Sequence, residues 1–276
     1  MSAQLDRLRE FLSQEELAFV EIASAKGSTP REAGAWMLVS PSAIFGTIGG
    51  GQLEFMAIDK ARSLLRSPVL GGGGAAIELD IPLGPEIGQC CGGHVSVSVQ
   101  RVDGPLADWR LDRAGSEQAR LRHVYVFGAG HVGRALANAL VLLPVRTIVV
   151  ETREPELAGL PAGVEKRLTP VPERLVREAP AGSAFVILTH DHALDFLIAA
   201  EALRRTDAAY TGMIGSKTKK AAFRTWFMKN AGGKEIEFRR LISPIGGEGL
   251  RDKRPEVIAA LTAAELMTAI TIRSSL

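Results

Sequence analysis

Residues 124–140 read VYVFGAGHVGRALANAL, and this stretch decides the fold. VYVF is a short unbroken apolar run, the kind that a parallel sheet buries on both faces. Gly128, Gly130 and Gly133 follow in GxGxxG spacing, and a helical pattern is expected directly after them over 132–143. Glu151 stands at the end of the next apolar run, 147–150. Strand, glycine turn, helix, strand and acid in that order form the context that gives the glycine motif its meaning. The glycines permit a tight turn and let backbone N–H groups approach a pyrophosphate at the helix N-terminus. Glu151 would accept hydrogen bonds from a ribose diol and repel a 2′-phosphate, which favours NAD over NADP. A Rossmann fold that holds no dinucleotide is the competing reading.

The pattern continues toward the C-terminus. An apolar run at 184–188 is followed by the helical stretch HDHALDFLIAAEALRR, and another at 210–214 by SKTKKAAFRTWFMKN. A last helix is expected over 256–272, started by Pro255. Strands alternating with helices at this rate predict a parallel sheet with right-handed crossovers. In such a sheet the carboxyl ends of the strands line the ligand crevice. His190, Asp191 and His192 therefore fall near the glycine turn, as do Ser216 and Lys217. Asp191 reads equally well as a helix cap. The two histidines flanking it are a poor metal site, because residues two apart do not easily share one ion. Ser216 can cap its helix, yet Lys217, Lys219 and Lys220 make the same helix start basic, against the dipole. Either an anion binds there or these are solvated surface lysines.

The N-terminal half opens with Leu5, Leu8, Phe11 and Leu12 at helical spacing. Strands are expected at 19–25, 36–39, 44–48, 75–81 and 94–100, with a helix in QLEFMAIDKARSLL. Arg31 lies in the polar loop GSTPREAG. Gly49, Gly50 and Gly51 open the helix, with Glu54 in its first turn. A triple glycine before a helix exposes N–H groups to an anion or polar ligand. Cys90 and Cys91 stand beside two glycines in an interstrand loop, where thiolates suit a soft metal centre or sulfur transfer. An ordinary, oxidation-prone pair of loop cysteines is the plainer alternative. The polar stretch 101–122 shows neither period and reads as a connector. The fold class expected is α/β: an N-terminal α/β domain over 1–103, a linker over 104–121, and a C-terminal Rossmann-like domain with a parallel sheet over 122–276.

The totals exclude several classes. The chain has 276 residues, long enough for two domains, and 46% of them are hydrophobic against 23% charged, a globular mix. Thirty-three basic and 31 acidic residues leave a net charge of +2, which gives no reason to expect a nucleic-acid partner. The two cysteines are neighbours and close no loop, so a disulfide scaffold is excluded. No apolar stretch approaches the roughly 20 residues of a membrane span. The start of the chain lacks the pattern of a signal peptide, so a cytoplasmic location is expected.

Taken in order, GSTPREAGAWMLV, GTIGGGQLE, GQCCGGHV, VYVFGAGHVGRAL, LTHDHALD, GMIGSKTK and PIGGEGLRDKRPEVIA resemble the motifs of the xanthine dehydrogenase accessory protein family, XdhC, also called the XdhC/CoxI family. The resemblance implies a protein that binds the molybdenum cofactor, a pterin (molybdopterin) carrying a dithiolene and a phosphate. Such a protein holds the cofactor while a cysteine desulfurase supplies the terminal sulfur on molybdenum. It then delivers the cofactor to the molybdenum-binding subunit of apo xanthine dehydrogenase, in purine catabolism. The resemblance also implies a homodimer, and a carrier rather than an enzyme with turnover of its own. It puts forward Cys90 and Cys91 as cofactor, metal or sulfur-handling residues, and Arg31, Gly49, Gly50, Gly51, Glu54, Gly128, Gly130 and Gly133 as cofactor-binding residues. An NAD-dependent oxidoreductase, with His190 or His192 as general acid, is the alternative. A purely structural adaptor for the molybdoenzyme is a third.

Overall fold

The computed structural model describes residues 3–68, 76–84, 92–247, 249 and 252–274. Its chain falls into two units, Met1–Glu117 and Gln118–Leu276. In the first, strands β1 (Ala18–Lys26), β2 (Trp36–Val39), β3 (Ile44–Gly46), β4 (Ile77–Pro82) and β5 (His94–Arg101) form an antiparallel sheet in the order β3-β2-β1-β5-β4. Side chains alternate between its faces. Val20, Ile22, Met37, Val39, Val97 and Val99 share one face. Helix α2 (Gly51–Arg66) covers it with Leu53, Ala57, Ala61 and Leu65, four residues apart and hence on one stripe. Phe19 and Leu38 point the other way, where Leu8 of helix α1 (Ala3–Leu12) packs on them.

The segment expected to be a linker, 104–121, is instead occupied by helix α3 (Gly104–Ala119). Its inner face carries Arg110, only 2% exposed, whose guanidinium lies 4.0 Å from the centre of the Trp36 ring. Nη2 of Arg110 also reaches Glu117 at 3.0 Å. Arg110 interrupts the face on which Leu106, Leu111 and Ala114 also pack, which weakens the apolar periodicity of the segment.

In the second unit, strands β6 (Arg122–Phe127), β7 (Val145–Glu151), β8 (Glu165–Leu168), β9 (Ala184–Ile187), β10 (Tyr210–Met213) and β11 (Leu241–Ile242) make one parallel sheet in the order β11-β10-β9-β6-β7-β8. This is the doubly wound order, with the reversal between β6 and β9. Val124, Val126, Val149 and Val186 face helices α4 (His131–Leu140) and α9 (Pro255–Ser274). Tyr125, Phe127, Ile148, Val150, Phe185 and Ile187 face the opposite layer, built mainly from α5 (Glu173–Glu178), α6 (His192–Arg204) and α7 (Lys217–Asn230), with the short α8 (Glu235–Phe238) at its edge. The α/β fold and parallel sheet expected for this half are present.

Strands β8 and β11 and helix α5 were not expected. β8 reads EKRL and stands at the sheet edge, where charges replace apolar residues and discourage pairing with another chain. Among the described residues, no helix is long and apolar enough to cross a membrane.

Phe223 of α7 is fully buried, with its ring 5.2 Å from that of Phe196 and 5.3 Å from that of Phe227. Phe223→Ala is expected to lower unfolding stability by about 3–5 kcal/mol, read as a drop in the denaturation midpoint. Leu197→Ala on the same layer, where the side chain is exposed, should change it by no more than about 0.5 kcal/mol.

Candidate functional site

The glycine turn follows β6 at the point where the strand order reverses. Its three glycines have separate physical reasons. Gly128 has φ +113°, and a Cβ there would lie 2.4 Å from the carbonyl oxygen of Leu188. A Cβ on Gly133 would lie 2.1 Å from the carbonyl oxygen of Gly128. These two glycines are required by the packing of the turn on β9 and of α4 on the turn. Gly130 caps α4 with an ordinary φ of −67°, and a Cβ there would meet nothing within 4 Å. Packing does not explain Gly130, and the space beside it is open to a ligand.

Glu151, at the end of β7, is 4% exposed. One carboxylate oxygen accepts from the Ala129 N–H at 3.0 Å, and the other from the N–H groups of Thr152 at 2.8 Å and Arg153 at 3.2 Å. Burial pushes this carboxyl up, but the hydrogen bonds from Ala129, Thr152 and Arg153 outweigh it and hold the group below its ordinary value of 4.5. Glu151 therefore ties the glycine turn to β7. Its carboxylate is already engaged, rather than standing free for a ribose diol.

His190, Asp191 and His192 are all exposed after β9. Asp191 caps α6, accepting from the Ala193 N–H at 2.7 Å. Ser216 caps α7 and Lys217 is exposed beside it. Lys219, by contrast, turns inward and pairs with Asp195 of α6, both side chains being buried. The basic start of α7 is thus partly neutralised from within the fold. Asp195, which no sequence motif singles out, accepts from the N–H and hydroxyl of Thr189 at 2.9 and 2.7 Å. The signal was present: a single acid in the apolar stretch ALDFLIAA needs a partner if it is buried. Among the described residues, no group of three or more His, Cys, Asp or Glu is placed to hold a metal ion.

In the N-terminal unit the motif loops meet at one end of the sheet. A Cβ on Gly49, which has φ +127°, would lie 2.9 Å from Pro30 and 3.2 Å from the stem of Arg31, so GSTPREAG packs on the triple glycine. Gly93 is equally confined, its Cβ position lying 2.2 Å from the carbonyl oxygen of Ser28. Cys90 and Cys91 lie outside the described residues, but Gly92 and Gly93, which follow them, stand against the same loop. Gly50 caps α2 with nothing within 4 Å of its Cβ position. Glu54 folds back so that one carboxylate oxygen accepts from the Thr47 hydroxyl at 2.5 Å and from the N–H groups of Ile48 at 3.0 Å and Gly50 at 3.2 Å. Arg31 is exposed and forms no ion pair among the described residues. Arg31, Gly49, Gly50 and Glu54 are thus brought together.

Two outcomes test these roles. Gly133→Ala should destabilise the C-terminal unit by about 1–3 kcal/mol or more through overpacking. Gly130→Ala should cost less than about 1 kcal/mol, a cap effect only, in the same melts. The second outcome concerns pH. Glu151 has a folded pKa below its unfolded one, so its contribution is complete above the unfolded value of 4.5 and is lost as pH falls through the lower, folded value. Glu151→Gln should therefore be less stable than the parent at neutral pH, and the gap should close in acid.

Two family models match the chain: the XdhC Rossmann domain over residues 124–266, and the XdhC and CoxI family over residues 12–70. The uncharacterized Escherichia coli (strain K12) protein YqeB is 27% identical over 271 residues, covering 91% of this chain. The chain spans 43% of the length of that relative. A crystal structure from Bacillus halodurans, described as a xanthine dehydrogenase, matches with a TM-score of 0.76 over 99% of this chain and 97% of that one, at 19% identity. At that identity the likeness speaks for the fold. The Rossmann match alone takes in more than half of the residues, and with the second model at the N-terminal unit it places the chain in the XdhC and CoxI family.

Proposed function

We propose that this protein is a maturation factor for xanthine dehydrogenase, and that it carries the molybdenum cofactor on its N-terminal unit. One observation carries the reading beyond family membership: the loop GSTPREAG packs on both the triple glycine and Gly93, the glycine that ends the CCGG motif. Three motifs that lie apart in the sequence meet at one place, and two of their features leave room for a ligand. Gly50, whose φ of +77° calls for glycine, faces open space, and Arg31 holds an exposed guanidinium without an ion-pair partner among the described residues.

These features fit the cargo. A pterin phosphate suits an unpaired guanidinium, which binds phosphate in a bidentate fork. The dithiolene-bound molybdenum is a thiophilic centre, suited to Cys90 or Cys91. The cofactor would supply the molybdenum chemistry of the target enzyme, a cysteine desulfurase the sulfur, and this chain the grip and the release.

The C-terminal crevice leaves room for a second ligand. The turn around Gly128 and Gly130 sits at the topological switch point, where α/β sheets take dinucleotides, and the space at Gly130 is open. We assign it a phosphate-bearing dinucleotide such as NAD, held by the turn and read at the ribose by groups other than the engaged Glu151.

The deciding experiment is anaerobic equilibrium binding of purified protein to molybdenum cofactor, with NAD titrated in parallel. Arg31→Ala should weaken cofactor binding by about tenfold or more while leaving the melting temperature unchanged. Cys90→Ala or Cys91→Ala should lower both cofactor binding and activation of apo xanthine dehydrogenase. Activation that survives both cysteine variants would point to a structural adaptor. Substrate-dependent NAD turnover without cofactor binding would replace the carrier reading with an oxidoreductase.

A further inference from the structure

We propose that Asp195 and Lys219 are positioning residues for the C-terminal crevice, holding the loops after β9 and β10 in the arrangement that a bound dinucleotide meets. The ligand named here rests on the reading above, whereas the positioning rests on contacts within the unit.

Burying an ion pair is a poor way to gain stability, because the desolvation of both charges offsets their attraction. Well-packed apolar residues would fill the same space between α6 and α7. What distinguishes this pair is what it holds. One oxygen of Asp195 accepts from the N–H and hydroxyl of Thr189, at 2.9 and 2.7 Å, and so fixes the first residues of the loop that carries His190 and His192. The other oxygen takes the ammonium of Lys219. The stem of Lys219 crosses Gly215, where a Cβ would lie 2.5 Å from its Cδ. The Lys219 N–H is capped by Ser216 at 3.3 Å. On the far side, Leu188 and the Cα of Thr189 press on Gly128, at 2.4 and 3.1 Å from its Cβ position.

These contacts join into one chain. It runs from the glycine turn through Leu188 and Thr189 to Asp195, then through Lys219 to Gly215 and Ser216. It links three successive loops of the carboxyl edge, and the charge pair is the only step that spans from α6 to α7 in that chain. Neither charged group faces the crevice itself, since their side chains are 0% and 8% exposed. They act through Thr189 and Ser216, on which the exposed His190, His192 and Lys217 are mounted.

The test compares the parent protein with D195N/K219M, which removes both charges and leaves neither stranded, and with K219R, which keeps the pair. Three quantities are read: melting temperature, amide hydrogen exchange at residues 189–192 and 215–217, and NAD affinity. The double variant should melt close to the parent, exchange faster in both loops, and bind NAD about tenfold to a hundredfold more weakly, the range typical when groups supporting a binding shell are lost. K219R should restore both loops and affinity. Unchanged exchange in both loops of the double variant would overturn the positioning role, as would faster exchange with undiminished affinity. If the parent binds no NAD, the dinucleotide reading fails on its own, and exchange in the two loops still decides whether the pair holds them. Should the double variant not fold, D195N/K219Q against K219R gives the same comparison, since it too leaves neither charge stranded.

Discussion

Gly128 can occupy its place only because it has no side chain. Its backbone runs against Leu188 on one side and against Gly133 on the other, so β6, β9 and α4 converge at a spacing that no Cβ permits. That close approach sits where the sheet reverses its order, beside the loops of the carboxyl edge. The valine and phenylalanine layers above and below the sheet supply the bulk of the burial, and the glycine contact adds a close approach of backbone that no larger residue permits.

Both units share a second device. Each glycine turn is gripped by a carboxylate from its own unit: Glu54 takes the N–H groups of Ile48 and Gly50, and Glu151 takes that of Ala129. Glu265 of α9 does the same for Gly246, while also accepting from the Tyr210 hydroxyl. Burial and the neighbouring Glu265 together drive that phenol's pKa far upward, so it remains a donor. Glycine-rich backbone is conformationally loose and exposes donors. An acid placed behind it answers both problems at once, pairing the donors and fixing the loop.

Much of this was legible in the sequence, for reasons that differ between residues. Steric demands on the backbone surface directly as glycine, so 128 and 133 could be read from the sequence. The buried strands of the C-terminal half declared themselves as apolar runs. Hydrogen-bond direction does not show in a residue type, and so Glu151 could be placed at the end of β7 without its partners being known. Asp195 and Lys219 lie 24 positions apart on different helices, and nothing local joins them. Helix α3 was hidden because its inner face is an arginine stacked on Trp36, and β8 because an edge strand of charges carries no apolar alternation. The convergence of GSTPREAG, the triple glycine and Gly93 needed the antiparallel sheet to bring them to one end.

The inward fold of Glu54 bears on how a ligand would leave such a loop. A binding loop whose donors are satisfied only by its ligand resists departure, since each vacated N–H must find water or stay unpaired. Here the N–H groups of Ile48 and Gly50 have a carboxylate partner within the chain itself. A loop paired in this way leaves none of those donors stranded when a ligand departs. On the carrier reading proposed above, the resting acid favours letting go.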